Sequence, residues 1–223
     1  MSDNVQVEVD LEKLFYTPIW KFKYPFFERD QEKFVKFLSQ DSQYILEREK
    51  EGLQTTFANL HKEEELQDLV EFFHFCAEHC MREMGYIPSC GITSMWATRQ
   101  RPGSSHHKHS HRNSFLGCAF HLFDIDDEAS GTIFTNPNIE QYVIEPAIDD
   151  TKKQMFVPEQ YIPFESGTLL MFPAWASHYT KPTNCGYRIV VAANFMPVGP
   201  TNSDHYDRYN FPNPYTMPLK QYE

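Results

Sequence analysis

The sequence predicts a mainly β fold with N-terminal helices, an α+β arrangement, and three observations carry that reading. Apolar residues between Glu28 and Met84 recur with helical period. From about Ser89 the texture changes to short β-branched and aromatic runs separated by Gly, Pro, Asn and Asp. No helix-length periodic segment interrupts those runs, so the strands should pair antiparallel, as a sandwich or barrel, with the helices packed outside.

Taken in order, Phe34, Phe37 and Leu38 mark one amphipathic helix. Leu66, Leu69, Val70, Phe73, Ala77, Cys80, Met81 and Met84 mark a second, and the loop "EGLQTTFANL" separates the two. His74, Cys76, His79 and Cys80 fall on the second helix; one helix seldom converges four metal ligands, so they read as core and surface positions. The strand signals are "ITSMWATRQ", "SFLGCAFHLFDI", "GTIFTNP", "QYVIEPAI", "GTLLMFPAW", "SHYTKP" and "YRIVVAANFM". The end, "PVGPTNSDHYDRYNFPNPYTMPLKQYE", has no period and reads as a tail whose tyrosines dock on the body. One domain over residues 1–223 is expected: helical support over 1–88, a β core over 89–196 and a Pro/Tyr-rich tail over 197–223.

Lysine and arginine number 20 against 31 acidic residues, a net charge of −11 with no basic run, which argues against nucleic acid as a direct ligand. The acidic N-terminus does not resemble a secretory signal, and no apolar run approaches the ~18 residues of a membrane span. Five scattered cysteines and the lack of an Asn-x-Ser/Thr sequon point to free thiols in a reducing, cytoplasmic setting.

The stretch "GSSHHKHSHRNSF" places His106, His107, His109 and His111 within six positions. In an extended segment residues two apart share a face, so His109 and His111 present both imidazoles to one side, although His107 and His109 form another such pair. A third imidazole is offered by His178 in the apolar run "FPAWASHYTKP", where a lone buried histidine would need a partner. Ten residues on, Arg188 opens the strand "YRIVVAANF"; a guanidinium buried there must pair with an anion, either an internal carboxylate or that of a ligand.

The order "H-x-H … G-T-L-L-M-F-P-x-W-x-x-H … R-I-x-V-x-x-N-F", together with "LEKLFYTPIWKF" and "MWATRQRPGSSHHKHSHRNSFLG", resembles the Fe(II)/2-oxoglutarate-dependent oxygenases, distantly similar to prolyl hydroxylases. The resemblance implies a double-stranded β-helix (jelly-roll) core. It implies Fe(II), 2-oxoglutarate and O2 as cofactors, and coupling of 2-oxoglutarate decarboxylation to hydroxylation of an unidentified small molecule or peptide side chain. By the same likeness His109, His111 and His178 would hold the metal as the catalytic centre. Arg188 would bind the distal carboxylate of 2-oxoglutarate, assisted by His121 and Thr180, with Asn113 and Asn194 lining the site. Trp96, Trp175 and the aromatic tail are candidates to wall it, although residues of these types more often belong to the core.

The sequence departs from the family's two-histidine, one-carboxylate pattern, because His111 stands where the carboxylate belongs. Imidazole suits zinc, copper and nickel as well as iron, and Asp124 or Asp126 could supply a carboxylate only from the wrong point of the motif. Two other classes remain open: a cupin-like metalloprotein that does not use 2-oxoglutarate, and a non-catalytic jelly-roll binding module. The sequence leaves a homodimer open as well.

Overall fold

The computed structural model describes residues 16–45, 52–87, 89–124, 131–138, 157–182, 188–201 and 209–211. The described elements run β1 (Trp20–Lys23), α1 (Phe27–Leu38), β2 (Leu53–Thr55), α2 (Gln67–Glu83), β3 (Cys90–Gln100), β4 (Leu116–Asp124), β5 (Gly131–Thr135), β6 (Glu159–Pro163), β7 (Thr168–Pro173), β8 (His178–Thr180), β9 (Arg188–Pro197), β10 (Gly199–Thr201) and β11 (Tyr209–Phe211). Six strands form a large sheet in the order β1-β7-β4-β9-β3-β2, and three form a small one, β6-β5-β8. Every strand pairing within them is antiparallel, as the absence of crossover helices predicts.

Both helices arise where the period placed them. The buried side of α2 is Leu69, Val70, Phe72, Phe73, Cys76, Ala77, Cys80 and Met81, spaced three and four apart, and α1 buries Phe34, Phe37 and Leu38. These sides cover the outer face of the large sheet, where Phe120 meets the rings of Phe73 at 5.9 Å and of Tyr24 and Phe27 at 6.1 Å. Cys76, Cys80 and His74 are buried and His79 lies against Glu83 on the surface, in keeping with core and surface positions rather than a metal site. Cys90 and Cys118 are buried free thiols too.

Three parts of the chain differ from the sequence reading. The region expected to be helical support also supplies β1 and β2 as the two edges of the large sheet, strands of four and three residues that are too short for a periodic signal. The run "EQYIP", which alternation did not single out, forms β6 because it pairs along the whole of β5. The tail contributes β10 and β11, which pair with each other from Gly199↔Phe211 to Thr201↔Tyr209. The strand expected at "QYVIEPAI", the fifth cysteine Cys185, the side chains of Asp124 and Asp126, and the end of the tail lie outside the described residues.

The small sheet faces the inner side of the large one. Phe134 of β5 packs with Leu170 and Phe172 of β7, and Ala176 closes the same cluster. The rest of the space between the sheets is a cavity lined by histidines, Arg188, Gln100 and threonines together with Trp96, Phe164, Val190 and Ala192.

Candidate active site

The segment 106–111 does not enter a named strand, yet its backbone is tied to β8 and the turn before it. His109 and His178 exchange both backbone hydrogen bonds at 2.9 Å, the His111 N–H donates to the Ala174 carbonyl at 2.9 Å, and the Thr180 N–H donates to the His106 carbonyl at 3.0 Å. This extended pairing aims alternate side chains the same way, so the His109 and His111 rings stack with centroids 5.5 Å apart. The His178 ring lies 4.4 Å from that of His109 and 5.2 Å from that of His111. One nitrogen of each of these three histidines lies within 4.8 Å of the others. His107 is exposed and stays outside the group, which sets the pair as His109 and His111.

The hydrogen bonds of the three rings decide which nitrogen is available. His109 Nδ1 lies 2.8 Å from the His107 carbonyl, His178 Nδ1 2.9 Å from the Ala176 carbonyl, and His111 Nδ1 2.5 Å from Asn194 Oδ1. Those oxygens can only accept, so each Nδ1 carries the proton and donates it, leaving the Nε2 lone pair free. The Asn194 amide is itself oriented, since its Nδ2 donates to Ser94 Oγ at 3.0 Å. Burial pushes the His178 pKa down to about 3 and that of His111 to about 4, and His109 is lowered for the same reason. Three neutral imidazoles with oriented Nε2 atoms are the donor set of a borderline divalent metal, and the carbonyl partners behind them hold the rings for ligation. Among the described residues no carboxylate joins the group.

His121 has the opposite tautomer. Its Nδ1 accepts the Glu165 backbone N–H at 3.2 Å, so in the neutral ring Nε2 carries the proton and donates. Burial, with the Arg188 charge as the next contribution, pushes its pKa to about 3, and Phe164 stacks on the ring at 4.3 Å. Arg188 is 1% exposed, at the head of β9. The His121 and Arg188 side chains line one cavity with the three clustered histidines, together with Trp96, Thr98, Gln100 and Thr180. One part of this cavity therefore presents metal ligands and another presents donors and a cation.

Of the residues singled out from sequence, His109, His111, His178, His121, Thr180 and Arg188 come together around this cavity. Asn194 acts behind His111 rather than from the cavity wall. Asn113 is not among the residues lining this cavity: it sits at φ 61° in the turn before β4 and lines a neighbouring groove of about 470 Å³ with Tyr86, Phe115 and Trp175, and His111 borders both. Trp96 lies 5.7 Å from the His111 ring, whereas Trp175 is exposed in that other groove. Sequence reasoning missed Thr98, Gln100, His106, Thr132 and Phe164 among the lining residues. It also missed Gly117, where a Cβ atom would stand 2.8 Å from His111 Nδ1 and 3.0 Å from Phe172 Cε2. A glycine inside the apolar run "FLGCAF" was the available signal, since it marks a close approach in a strand.

Residues 94–194 match the family model described as "Putative 2OG-Fe(II) oxygenase". Over that stretch the chain is similar to the 2OG-Fe(II) oxygenases. The matched stretch, a little under half of the chain, begins in β3, ends in β9 and takes in all three clustered histidines and Arg188. Fe(II) and 2-oxoglutarate, with O2, are the cofactors of that oxygenase family. No curated protein matches the chain in sequence. Solved structures similar to it include the non-heme, alpha-ketoglutarate-dependent carbocyclase SnoK from nogalamycin biosynthesis, with a TM-score of 0.60 and 13% identity over 82% of this chain and 81% of that one. A prolyl-4-hydroxylase from Pseudomonas putida has a TM-score of 0.57 and 10% identity over 81% and 93%. HygX from Streptomyces hygroscopicus, solved with nickel and 2-oxoglutarate, has a TM-score of 0.52 and 11% identity over 81% and 83%. These likenesses show a double-stranded β-helix fold. No helix among the described residues is long and apolar enough to cross a membrane.

Proposed function

We propose that the protein is a Fe(II)- and 2-oxoglutarate-dependent hydroxylase, with His109, His111 and His178 as metal ligands and Arg188 as the anchor of the 2-oxoglutarate carboxylate. The observation that carries this reading is the convergence of three imidazoles, each donating Nδ1–H to a carbonyl oxygen, in one cavity with a buried arginine. A cupin-like metal site would use the imidazoles alone, whereas 2-oxoglutarate would use both the imidazoles and the arginine of the same cavity. The prolyl-4-hydroxylase among the structures of similar fold supports hydroxylation as the outcome, and the prime substrate is a small molecule or a peptide side chain. A reducing, cytoplasmic setting suits the four buried free thiols.

Each residue has a physical task in this scheme. When bound, Fe(II) supplies the activation of O2 that oxidises 2-oxoglutarate to succinate and CO2 and transfers oxygen to the substrate. His109, His111 and His178 present neutral Nε2 donors, and their carbonyl partners keep the rings from turning. Arg188 pairs with the carboxylate at the far end of the co-substrate through charge-assisted hydrogen bonds, and His121 donates Nε2–H to the same group. Trp96, Phe164, Val190 and Ala192 line the cavity and exclude water from it.

Three neutral ligands leave the whole +2 charge of the ion in a buried site, so the dianionic co-substrate and the metal must each strengthen the binding of the other. In anaerobic protein, 2-oxoglutarate should therefore raise the melting temperature only when Fe(II) or Mn(II) is present. His178→Ala should abolish that response. Arg188→Met should keep the metal and weaken 2-oxoglutarate by about 2–5 kcal/mol in calorimetric titration. A metal-bound wild type that takes up no 2-oxoglutarate overturns the reading in favour of the cupin-like class, and a wild type that binds no metal overturns it in favour of a binding module.

A further inference from the structure

The clearest unassigned arrangement in the cavity surrounds Thr180 Oγ1. The backbone N–H of His106 donates to this oxygen at 2.8 Å, and Gln100 Nε2 donates to it at 3.1 Å. A hydroxyl oxygen has two lone pairs and one proton, so with both lone pairs occupied the Thr180 hydroxyl can act only as a donor. Gln100 is 2% exposed and is the direct cross-strand partner of Arg188 in the pairing of β3 with β9. Its side chain shares the cavity with Thr180, Arg188 and His121. The groups gathered there are a guanidinium, an imidazole whose Nε2 carries a proton, and a hydroxyl limited to donation. Such a set selects an acceptor-only anion, and a carboxylate is the acceptor-only group of the co-substrate.

We propose that Gln100 is a positioning residue for the carboxylate end of the cavity: with the His106 N–H it commits Thr180 to donate its hydroxyl proton to the carboxylate that Arg188 holds. This rests on the oxygenase reading and adds to it a residue, on a different strand from Arg188, that acts through the threonine. Gln100 itself need not touch the ligand.

The test measures dissociation constants of 2-oxoglutarate and of oxalate in anaerobic Mn(II)-loaded full-length protein. Oxalate chelates a metal as a 2-oxo acid does, and it lacks the distal carboxylate. Thr180→Val, which keeps the shape and removes the donor, should weaken 2-oxoglutarate about tenfold and leave oxalate unchanged, and Thr180→Ser should restore binding. Gln100→Leu frees the hydroxyl to turn and should weaken 2-oxoglutarate severalfold, again sparing oxalate. Combined with Thr180→Val it should add nothing, because both changes act through one hydrogen bond. Equal losses for the two ligands, an additive double variant, or no loss at all overturns the role of Gln100. A wild type that binds oxalate but not 2-oxoglutarate overturns the oxygenase reading beneath it. Thr180→Val against Thr180→Ser carries the test should Gln100→Leu fail to fold.

Discussion

The two faces of the six-stranded sheet are made by alternate residues of the same strands, and their chemistry differs sharply. Along β9, Ile189, Val191, Ala193 and Phe195 belong to the core beneath the helices, while Arg188, Val190 and Ala192 line the cavity and Asn194 holds His111. Along β4, Leu116, Cys118, Phe120 and Leu122 join that core, while Gly117 lies under the His111 ring and His121 enters the cavity. The outer face gains by dispersion and by removing apolar area from water. The inner face buries imidazoles, amides and a guanidinium, each of which must be satisfied by a partner or a ligand. Because both faces share one backbone, rigidity on the outer side is what allows the inner side to hold polar groups in place.

The sharpest way to break that comparison is to open the outer face. Phe120 has no exposure and contacts three aromatic rings, so Phe120→Ala should cost about 3–5 kcal/mol. In a chain of this size that lowers the melting temperature by roughly 10 °C. The folded fraction should still bind one equivalent of Mn(II). Selective loss of metal binding at unchanged stability would show that the two faces do not divide the work as described.

A change on the inner face should do the reverse. Gly117→Ala places a methyl group against His111 Nδ1 and Phe172 with little room to yield, so it should displace the ring that Asn194 orients. We expect Mn(II) affinity to fall by about 10–100-fold, as when the support behind a ligand is lost, with a smaller change in melting temperature than for Phe120→Ala. Unaltered affinity would show that the loop bearing His111 can shift without consequence.

The last comparison concerns pH. His106, His121 and His178 have native pKa values pushed down to about 3, and His111 to about 4, in each case chiefly by burial. The unfolded chain takes up protons on these groups near the ordinary histidine value while the folded chain refuses them, so each contributes stability that is complete above about pH 6.5. That contribution declines as pH falls toward the native values, by about 1.4 kcal/mol per pH unit for each excluded proton. Metal-free protein should therefore melt progressively lower between pH 7 and pH 5, and bound Mn(II) should raise the melting temperature throughout without flattening the decline, because the metal-loaded fold excludes the same protons. A flat profile in the metal-free protein would show that these histidines are protonated in the folded state.

Much of this architecture was legible in the chain. The helical period gave the buried sides of α1 and α2 almost residue for residue, because one side of each helix packs on the sheet and the other meets solvent. The "H-x-H", the later His178 and the Arg188 ten residues on marked the site, since imidazoles and an arginine in apolar strands need partners. Gln100 and Thr98 were not legible, because a polar residue in an edge-like run gives no sign of facing a closed cavity. His106 was visible as one of four histidines, but nothing local separates it from His107, which is exposed. Asn113 and Asn194 both lay beside motifs, and only the turn at φ 61° sends one of them to another groove.

By itself, the sequence determined the fold class, the two helices, the strands β3, β4, β5, β7, β8 and β9, and the residue types that gather at the site. Local period and the cost of burying unpaired polar groups act on neighbouring residues and can be read there. The tertiary structure decided which two of the clustered histidines join His178, which nitrogen each ring presents, and that His121 takes the other tautomer. Those outcomes depend on whether a carbonyl or an N–H stands behind the ring: the Ala176 carbonyl two residues before His178 and the Asn194 side chain from across the sheet in one case, the Glu165 N–H in the other. Imidazole is the same group in every position, and its role is set by the hydrogen bond that the folded chain brings to its other side.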